Sequence, residues 1–435
     1  MNLKSLPING LSGEIICPGD KSISQRILII GSLLNCDIKI SGFLDAEDPN
    51  STMMALNNLG SSIKKDNKIV SISHRSKPFS NPSSFLDLGN SGTGIRLLTG
   101  FISGLNIKAT LVGDDSLSKR PMSRVVDPLT LMGKEISTNS GRAPIQIKGG
   151  NIKNNFEYVM PIASAQVKSC LMLASLSSGN SIKITEPKVT RDHTERMIEY
   201  LDGSIEISKS SQGKTIFLKN SKLSEISTYE VVGDFSSAAF IIVAALISKN
   251  SEVLIKNVGL NKTRSGLLEI LLKMGAKIKI VNKRKTCNED CGDIIVKSSK
   301  LEGINVPNSI IPNIIDEIPI LSVAASFAEG QTTIKNASEL KVKESDRLHA
   351  TSMGLKAMNI KHNLLDDGLI INGTQDDVEI HEEIESFGDH RIAMSFLIAG
   401  LRSKNGVKVR DCSNIDTSFP NFSKIMNNLG MHINE

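Results

Sequence analysis

Hydrophobic and polar positions along the 435-residue chain fall into a pattern that recurs. Six stretches share one design: a turn-like or strand-ending residue, then small or charged groups, then an apolar run of helical length. They are "CPGDKSISQRILIIGSLL" from Cys17, "LGNSGTGIRLLTGF" from Leu88 and "MPIASAQVKSCLMLASL" from Met160, followed by "VGDFSSAAFIIVAALI" from Val232, "IIDEIPILSVAASFA" from Ile314 and "FGDHRIAMSFLIAGL" from Phe387. Successive starts lie about 70 to 83 residues apart, the mark of an internal repeat.

A second series runs in step with the first. Helical patterns end on a Gly or Asn at Gly60, Gly133, Gly203, Gly275, Asn359 and Gly430, and each is followed by a strand-like segment. A Gly or Asn just past the last periodic residue is a helix stop. Intervening runs such as "KATLVG", "SIKIT", "SEVLIKNV" and "QTTIKNA" read as strands. The chain therefore reads as six copies of one α/β unit with two helices each. Six units in this length predict two domains of three, with the main crossover between Tyr229 and Asp234.

Composition narrows the function classes. Lys and Arg number 51 against 46 Asp and Glu, too small an excess to demand a nucleic-acid partner. No Trp and 3 Tyr argue against base-stacking platforms. The N-terminal residues lack the apolar core of a signal peptide. The apolar run from Ala238 to Ile247 is too short to span a bilayer and predicts a buried helix. The cysteines are scattered. Cys287 and Cys291 form a lone pair in a polar segment, which falls short of a zinc site. A reduced cytoplasmic protein is the expectation.

The first stretch places Asp20, Lys21, Ser22, Ser24 and Arg26 at the mouth of a helix. It is not a nucleotide P-loop, because no glycine sits five residues before Gly19. Two readings remain for this stretch alone: an anion site at a helix N-terminus, or an ordinary capped helix start with solvated bases. Recurrence weakens the second. Corresponding positions carry Asn90 and Thr93, Ser164 and Gln166, Asp316, and His390 and Arg391. If the six helix starts share an orientation, they line one cleft suited to anions.

The blocks "GDKSISQR", "LGNSGTGIR", "SLSKRPMSR", "SAQVKS", "VTRDHTERM", "LKVKESDRL", "GDHRIAMS" and "DTSFPNF" span nearly the whole chain. Together they resemble the enolpyruvyl transferase family, and within it the branch acting on shikimate 3-phosphate. The resemblance implies an α/β fold: a two-domain inverse α/β barrel built from six repeated folding units, with the active site in the interdomain cleft. It implies a first domain over 21–231 and a second over 1–20 with 232–435. The implied reaction moves the enolpyruvyl group of phosphoenolpyruvate to the 5-hydroxyl of shikimate 3-phosphate and releases phosphate, in the shikimate pathway of aromatic amino-acid and chorismate biosynthesis. No metal or organic cofactor is implied. The expected partners are the two small substrates, without nucleic acid or membrane, and the expected state is a monomer inhibited by glyphosate.

The resemblance also carries site residues. Lys21, Ser22, Arg26, Ser164, Gln166, Asp316 and Lys343 match shikimate 3-phosphate contacts. Lys21, Gly92, Arg120, Gln166, Arg347 and Arg391 match phosphoenolpyruvate contacts. Asp316 matches the group that activates the hydroxyl, and Glu344 and Lys21 are candidates for moving the proton at the methylene carbon. Such a charge set suits substrates carrying about five negative charges together. "KVKESDR" predicts Lys343, Glu344 and Arg347 within one helical turn.

One position departs from the better-known members. Thr417 stands where they carry a lysine, two residues before Phe419-Pro420, which puts one phosphoenolpyruvate contact in doubt. A UDP-N-acetylglucosamine enolpyruvyl transferase is the nearest rival. Its loop, here between Gly113 and Arg124, would carry a reactive cysteine or an aspartate in its place; here there is no cysteine, and the two aspartates, Asp114 and Asp115, sit near the loop start, away from Arg120. A non-catalytic anion-binding protein on the same repeats would have no need of Asp316 or Glu344.

Overall fold

The structure, a computed structural model, describes residues 1–210 and 213–435. Each of the six apolar runs forms a helix: Lys21–Gly31, Gly92–Gly104, Ala165–Ser178, Phe235–Ile247, Ile318–Ser326 and His390–Ala399. Five begin on a capping side chain. Asp20, Ser91, Ser164, Asp234 and Asp389 each accept a backbone N–H from the first turn, satisfying a donor that the helix cannot. The sixth has no side-chain cap and instead carries Pro319 in its first turn, where a missing N–H costs nothing.

The chain divides into two lobes. The first is Gly19–Val232 with Lys285–Glu289; the second is Met1–Pro18, Gly233–Arg284 and Asp290–Glu435. Each lobe holds three of these helices in contact at its core. In the second lobe, Phe235–Ile247 is buried at all thirteen positions, as a helix apolar on every side requires. In the first, Gly92–Gly104 lies against Ala165–Ser178. A Cβ on Gly100 would lie 2.0 Å from the carbonyl oxygen of Cys170, and one on Gly104 2.3 Å from that of Ala174. These two glycines, one turn apart, set how closely the two helices approach.

One sheet order recurs. In the first lobe the sheets run Thr228–Glu230, Ile38–Ser41, Ile69–Ser73, Ser62–Asp66; then Leu86–Asp87, Ala109–Val112, Arg142–Gly149, Glu135–Asn139; then Phe156–Val159, Ile182–Glu186, Gly213–Leu218, Ile205–Ser210. Each has a parallel pair at one edge, and the rest is antiparallel. The second lobe repeats the order with Ser12–Ile16, Glu252–Gly259, Glu289–Lys297 and Lys277–Thr286, and with Ile384–Glu385, Val407–Arg410, Leu3–Leu6 and His432–Asn434. Its remaining repeat, Gln331–Ile334, Gly368–Asn372 and His362–Leu365, has a single parallel bridge from Asn305 to Thr333 at that edge.

The edge strands are exchanged where the chain crosses between lobes. Ser12–Ile16 precedes the helix Lys21–Gly31 but pairs in parallel with Glu252–Gly259. Thr228–Glu230 precedes the helix Phe235–Ile247 but pairs in parallel with Ile38–Ser41. The last sheet is completed from the other end of the sequence: Leu3–Leu6 lies between Val407–Arg410 and His432–Asn434, antiparallel to both.

Five of the six predicted helix stops hold their Gly or Asn at positive φ: Gly60, Gly133, Gly275, Asn359 and Gly430. At the remaining one the left-handed residue is Asp202, with φ of 57°, and not Gly203. Gly203 serves packing instead, since a Cβ there would lie 2.5 Å from Ile198 Cγ2 and 2.8 Å from Leu223 Cδ2. The polar segment assigned to Cys287 and Cys291 is a hairpin. Cys287 sits at its turn, and Cys291 is buried in the strand Glu289–Lys297.

Gly100→Ala should destabilise the protein by about 1–3 kcal/mol, because the obstacle to the new methyl group is backbone and cannot rotate away. Urea denaturation measures this; an unchanged midpoint would show that the helix pair can part without loss.

Candidate active site

In the first lobe the first turns of the three core helices are bound to one another by side chains. Gln25 Nε2 donates to Ser91 Oγ at 2.7 Å and to Thr52 Oγ1 at 3.0 Å, so the first helix holds the cap of the second. Arg96 Nη1 donates to Gln166 Oε1 at 2.6 Å, and Gln166 Nε2 donates to Thr93 Oγ1 at 2.9 Å, joining the second helix to the third. Arg26 reaches Ser169 on the third helix, 3.0 Å away. Three helix N-termini thus lie together, and their partial positive charges add.

Cations line this end. Lys21 Nζ is 2.9 Å from Asp48 Oδ2. Arg120 donates to the Asn90 side chain, to Asn90 O at 3.2 Å and to Ser116 Oγ at 3.1 Å. Gly92 opens the second helix beneath Arg120 and Arg96: a Cβ on it would lie 2.9 Å and 3.4 Å from their Nη1 atoms. Ser22 follows Lys21 in the first turn, and its carbonyl accepts from Arg26 Nη1 at 2.9 Å. Ser164 is the cap of the third helix. Burial lowers Arg26 to about 10, with Asp20 and Glu195 offsetting part of that effect, so the guanidinium stays charged at neutral pH. The first-lobe residues expected from the sequence therefore lie at these helix starts, with Arg120 reaching Asn90 beside the second.

The second lobe gathers the remaining expected residues around one arginine. Arg347 is 1% exposed. Its Nε donates to Asp389 Oδ2 at 2.8 Å, its Nη1 to Asp316 Oδ1 at 3.0 Å, and its Nη2 to Glu344 Oε2. Burial opposes the charge, but Asp389, Glu344 and Asp316 outweigh it and hold the pKa of Arg347 above the usual arginine value. Lys343 Nζ lies 3.5 Å from Asp316 and Arg264 Nη1 3.8 Å from it. Arg391 Nη1 donates to Asp316 O at 3.0 Å and lies 3.4 Å from Glu317. Glu317 is fully buried and accepts from Ser236 Oγ. Of the adjacent acids, Asp316 keeps some access to solvent, 12% for its side chain, and Glu317 none. Asp316 can thus be reached from solvent, whereas Glu317 only cross-links buried groups.

The predicted single turn over Lys343, Glu344 and Arg347 does not form. A 3-10 helix, Ser338–Val342, ends before Lys343, which is extended, and Asp346 caps a new helix at Arg347 by accepting from His349 N. The cap stops the helix from propagating backwards. Lys343 and Glu344 lie on an irregular link, and the Arg347–Glu344 ion pair bridges the cap. Thr417 ends a 3-10 turn and is 5% exposed, its hydroxyl donating to Asn414 O at 2.7 Å.

Several residues of these networks escaped the sequence reading: Gln25, Asp48, Arg96, Arg264 and Asp389. Arg96 and Asp389 lie inside blocks already singled out, one turn after Gly92 and beside His390. A buried quartet was also missed. Lys168 lies 2.7 Å from Glu195 and 3.1 Å from Glu186, and Lys214 lies 3.2 Å from Glu195. Burial opposes the Lys168 charge, and Glu195 and Glu186 outweigh it and raise its pKa. Beside it, buried His193 Nδ1 lies 2.7 Å from Glu289 at the hairpin turn.

Comparison with known proteins decides the family. The sequence model of EPSP synthase (3-phosphoshikimate 1-carboxyvinyltransferase) matches residues 6–426. The chain belongs to that family. It is 43% identical over 437 residues to the 3-phosphoshikimate 1-carboxyvinyltransferase of Legionella pneumophila (strain Lens), covering 100% of this chain and 99% of that one. It is 44% identical over 430 residues to the protein of the same name from Petrotoga mobilis (strain DSM 10674 / SJ95), covering 98% of each. Among solved structures, an EPSP synthase from Acinetobacter baumannii superposes with a TM-score of 0.87 at 39% identity, covering all of both chains. The EPSP synthase family is a family of transferases, and the mixed α/β fold is shared. Among the described residues, no helix is long and apolar enough to cross a membrane.

The His193–Glu289 pair makes stability depend on pH. Burial disfavours the charged imidazole, but Glu289 prevails and raises its pKa above 6.5. A raised histidine pKa contributes stability that is complete below the unfolded value and lost as pH rises through the folded one. The stability difference between the wild type and Glu289→Gln should therefore be largest near about pH 6 and shrink towards about pH 8.5. Urea denaturation at both values checks it, and a constant difference would mean that the imidazole stays neutral throughout.

Proposed function

We propose that this protein transfers the enolpyruvyl group of phosphoenolpyruvate to the 5-hydroxyl of shikimate 3-phosphate, giving 5-enolpyruvylshikimate 3-phosphate and phosphate, in the shikimate pathway. The observation that carries the reading is a partly exposed carboxylate, Asp316, at a core helix start among Arg264, Lys343 and Arg347, in a chain matching the EPSP synthase family over almost its whole length. The repeated sheets support a six-unit inverse α/β barrel, with domains over 21–231 and over 1–20 with 232–435. The protein acts as a cytoplasmic monomer on small molecules without a cofactor.

The chemistry divides among the two networks. Lys21, Ser22, Arg26, Ser164, Gln166, Asp316 and Lys343 take the acceptor; Lys21, Gly92, Arg120, Gln166, Arg347 and Arg391 take phosphoenolpyruvate. Guanidinium forks suit both carboxylate and phosphate. Asp316 accepts the proton of the 5-hydroxyl as its oxygen bonds to the enol carbon. The methylene carbon must gain a proton in this addition and lose one when phosphate leaves. Glu344 suits that proton transfer because it is the more exposed acid on Arg347, 21% against 12% for Asp316 and 0% for Asp389, and it lies on an irregular link. Lys21 is the second candidate. The family match does not favour a UDP-N-acetylglucosamine enolpyruvyl transferase.

Phosphate release measured with shikimate 3-phosphate and, separately, with UDP-N-acetylglucosamine tests the reading. Release with only the second acceptor, or with neither, would refute it. Asp316→Ala should slow turnover by about a hundredfold or more, the scale of a lost general base, while leaving binding of shikimate 3-phosphate largely intact. Turnover near the wild-type rate would place the base elsewhere.

Gly92→Ala should leave the unfolding midpoint little changed, since the atoms nearest the new methyl group are the side-chain ends of Arg120 and Arg96 and, at an ordinary contact distance of 3.8 Å, Leu117 Cδ1. It should raise the inhibition constant of glyphosate more than the Michaelis constant of phosphoenolpyruvate, because discrimination is a difference of two affinities. Parallel inhibition and melting measurements decide it, and equal loss of both ligands would count against close approach at Gly92.

A further inference from the structure

The guanidinium of Arg26 is largely committed before a ligand arrives. It has five N–H groups. Nε donates to Thr194 Oγ1 at 2.8 Å, Nη2 to Ser169 Oγ at 3.0 Å and Nη1 to Ser22 O at 2.9 Å. Two N–H groups remain, one on each terminal nitrogen. Thr194 and Ser169 are fully buried, come from two different helices, and are joined by a hydrogen bond of 2.7 Å that Thr194 donates. The Thr194 hydroxyl thus accepts from Arg26 and donates to Ser169, and it cannot rotate without losing one of the two. The adjacent residues on the same two helices, Glu195 after Thr194 and Lys168 before Ser169, form a buried ion pair of 2.7 Å. That pair locks the helices at the point where the hydroxyls meet.

We propose that Thr194 and Ser169 are positioning residues for acceptor recognition. They occupy the side edge of the Arg26 guanidinium and leave its two terminal N–H groups as a fork for one oxyanion of the acceptor. Neither residue touches the acceptor itself. A freely rotating arginine would offer several edges to an anion; this one offers a single edge, with its direction fixed before binding. Bidentate geometry makes that direction matter. The inference rests on the reading of shikimate 3-phosphate as the acceptor.

The test compares the wild type, Thr194→Val and Thr194→Ser by calorimetric titration with shikimate 3-phosphate, alongside melting points and steady-state kinetics. Valine keeps the shape and removes the hydroxyl; serine keeps the hydroxyl and removes a methyl group from the core. Both variants should melt lower than the wild type. Thr194→Val alone should bind shikimate 3-phosphate about tenfold more weakly or worse and raise its KM with little change in kcat or in the KM of phosphoenolpyruvate. Thr194→Ser should bind within about twofold of the wild type. The inference is overturned if Thr194→Val binds as well as the wild type, if Thr194→Ser loses as much as Thr194→Val, or if the folded wild type does not bind shikimate 3-phosphate. Failure of phosphate release while this binding pattern holds would remove the proposed reaction and leave the positioning role standing.

Discussion

Three helix N-termini brought together in each lobe are the constraint on which the structure turns. Each terminus leaves backbone N–H groups without helical partners and carries a partial positive charge. Side by side, three such ends repel one another unless something negative lies among them. Capping residues answer part of the demand: Asp20, Ser91 and Ser164 in the first lobe, Asp234 and Asp389 in the second. What remains is a place where an anion is favoured before any basic side chain is counted.

The two lobes meet this constraint in opposite ways. The first adds Lys21, Arg26, Arg96 and Arg120 to the positive ends and neutralises them sparingly, through Asp20 at the first helix start and Asp48 at Lys21. The second places carboxylates there. Asp234, Asp316, Glu317 and Asp389 stand at the helix starts, and arginines are threaded between them. Arg347 bonded on three sides to carboxylates is rigid, with each bond limiting the others. A surface of the first kind holds anions. A surface of the second kind holds acids and bases at fixed distances, which proton transfer requires.

The repeat was legible because its signals are local. A cap, an apolar run and a Gly or Asn stop each leave a mark in adjacent residues, and five of the six stops fell as read. Gly203 misled because the left-handed position was taken by the neighbouring Asp202, a residue that also tolerates it. The site residues were named through family blocks, and the structure brings the expected set together within each lobe. Residues missed were those whose role depends on partners far along the chain. Nothing near Gln25 announces Ser91, and nothing near Thr194 announces Arg26. The turn expected through Lys343 does not form because Asp346 caps a new helix at Arg347, a local signal that the spacing of the surrounding charges masks. The resemblance placed 1–20 in the second domain and 21–231 in the first, but the strand partners of Ser12–Ile16 and Thr228–Glu230 could not be read, since both segments look equally fit to pair with the strand that follows them.

The strand Leu3–Leu6 ties the two ends of the sequence into one sheet, with Leu3 opposite Val409 and Lys4 opposite Asn434. During synthesis this strand leaves the ribosome some four hundred residues before either neighbour exists. The first lobe, built mostly from one continuous stretch, has its partners at hand much earlier. Vectorial synthesis therefore favours a fixed order of assembly, with the second lobe closing last and its earliest-made strand waiting longest with unpaired edges. A segment in that position gains from being short and half polar, and "LKSL" is both.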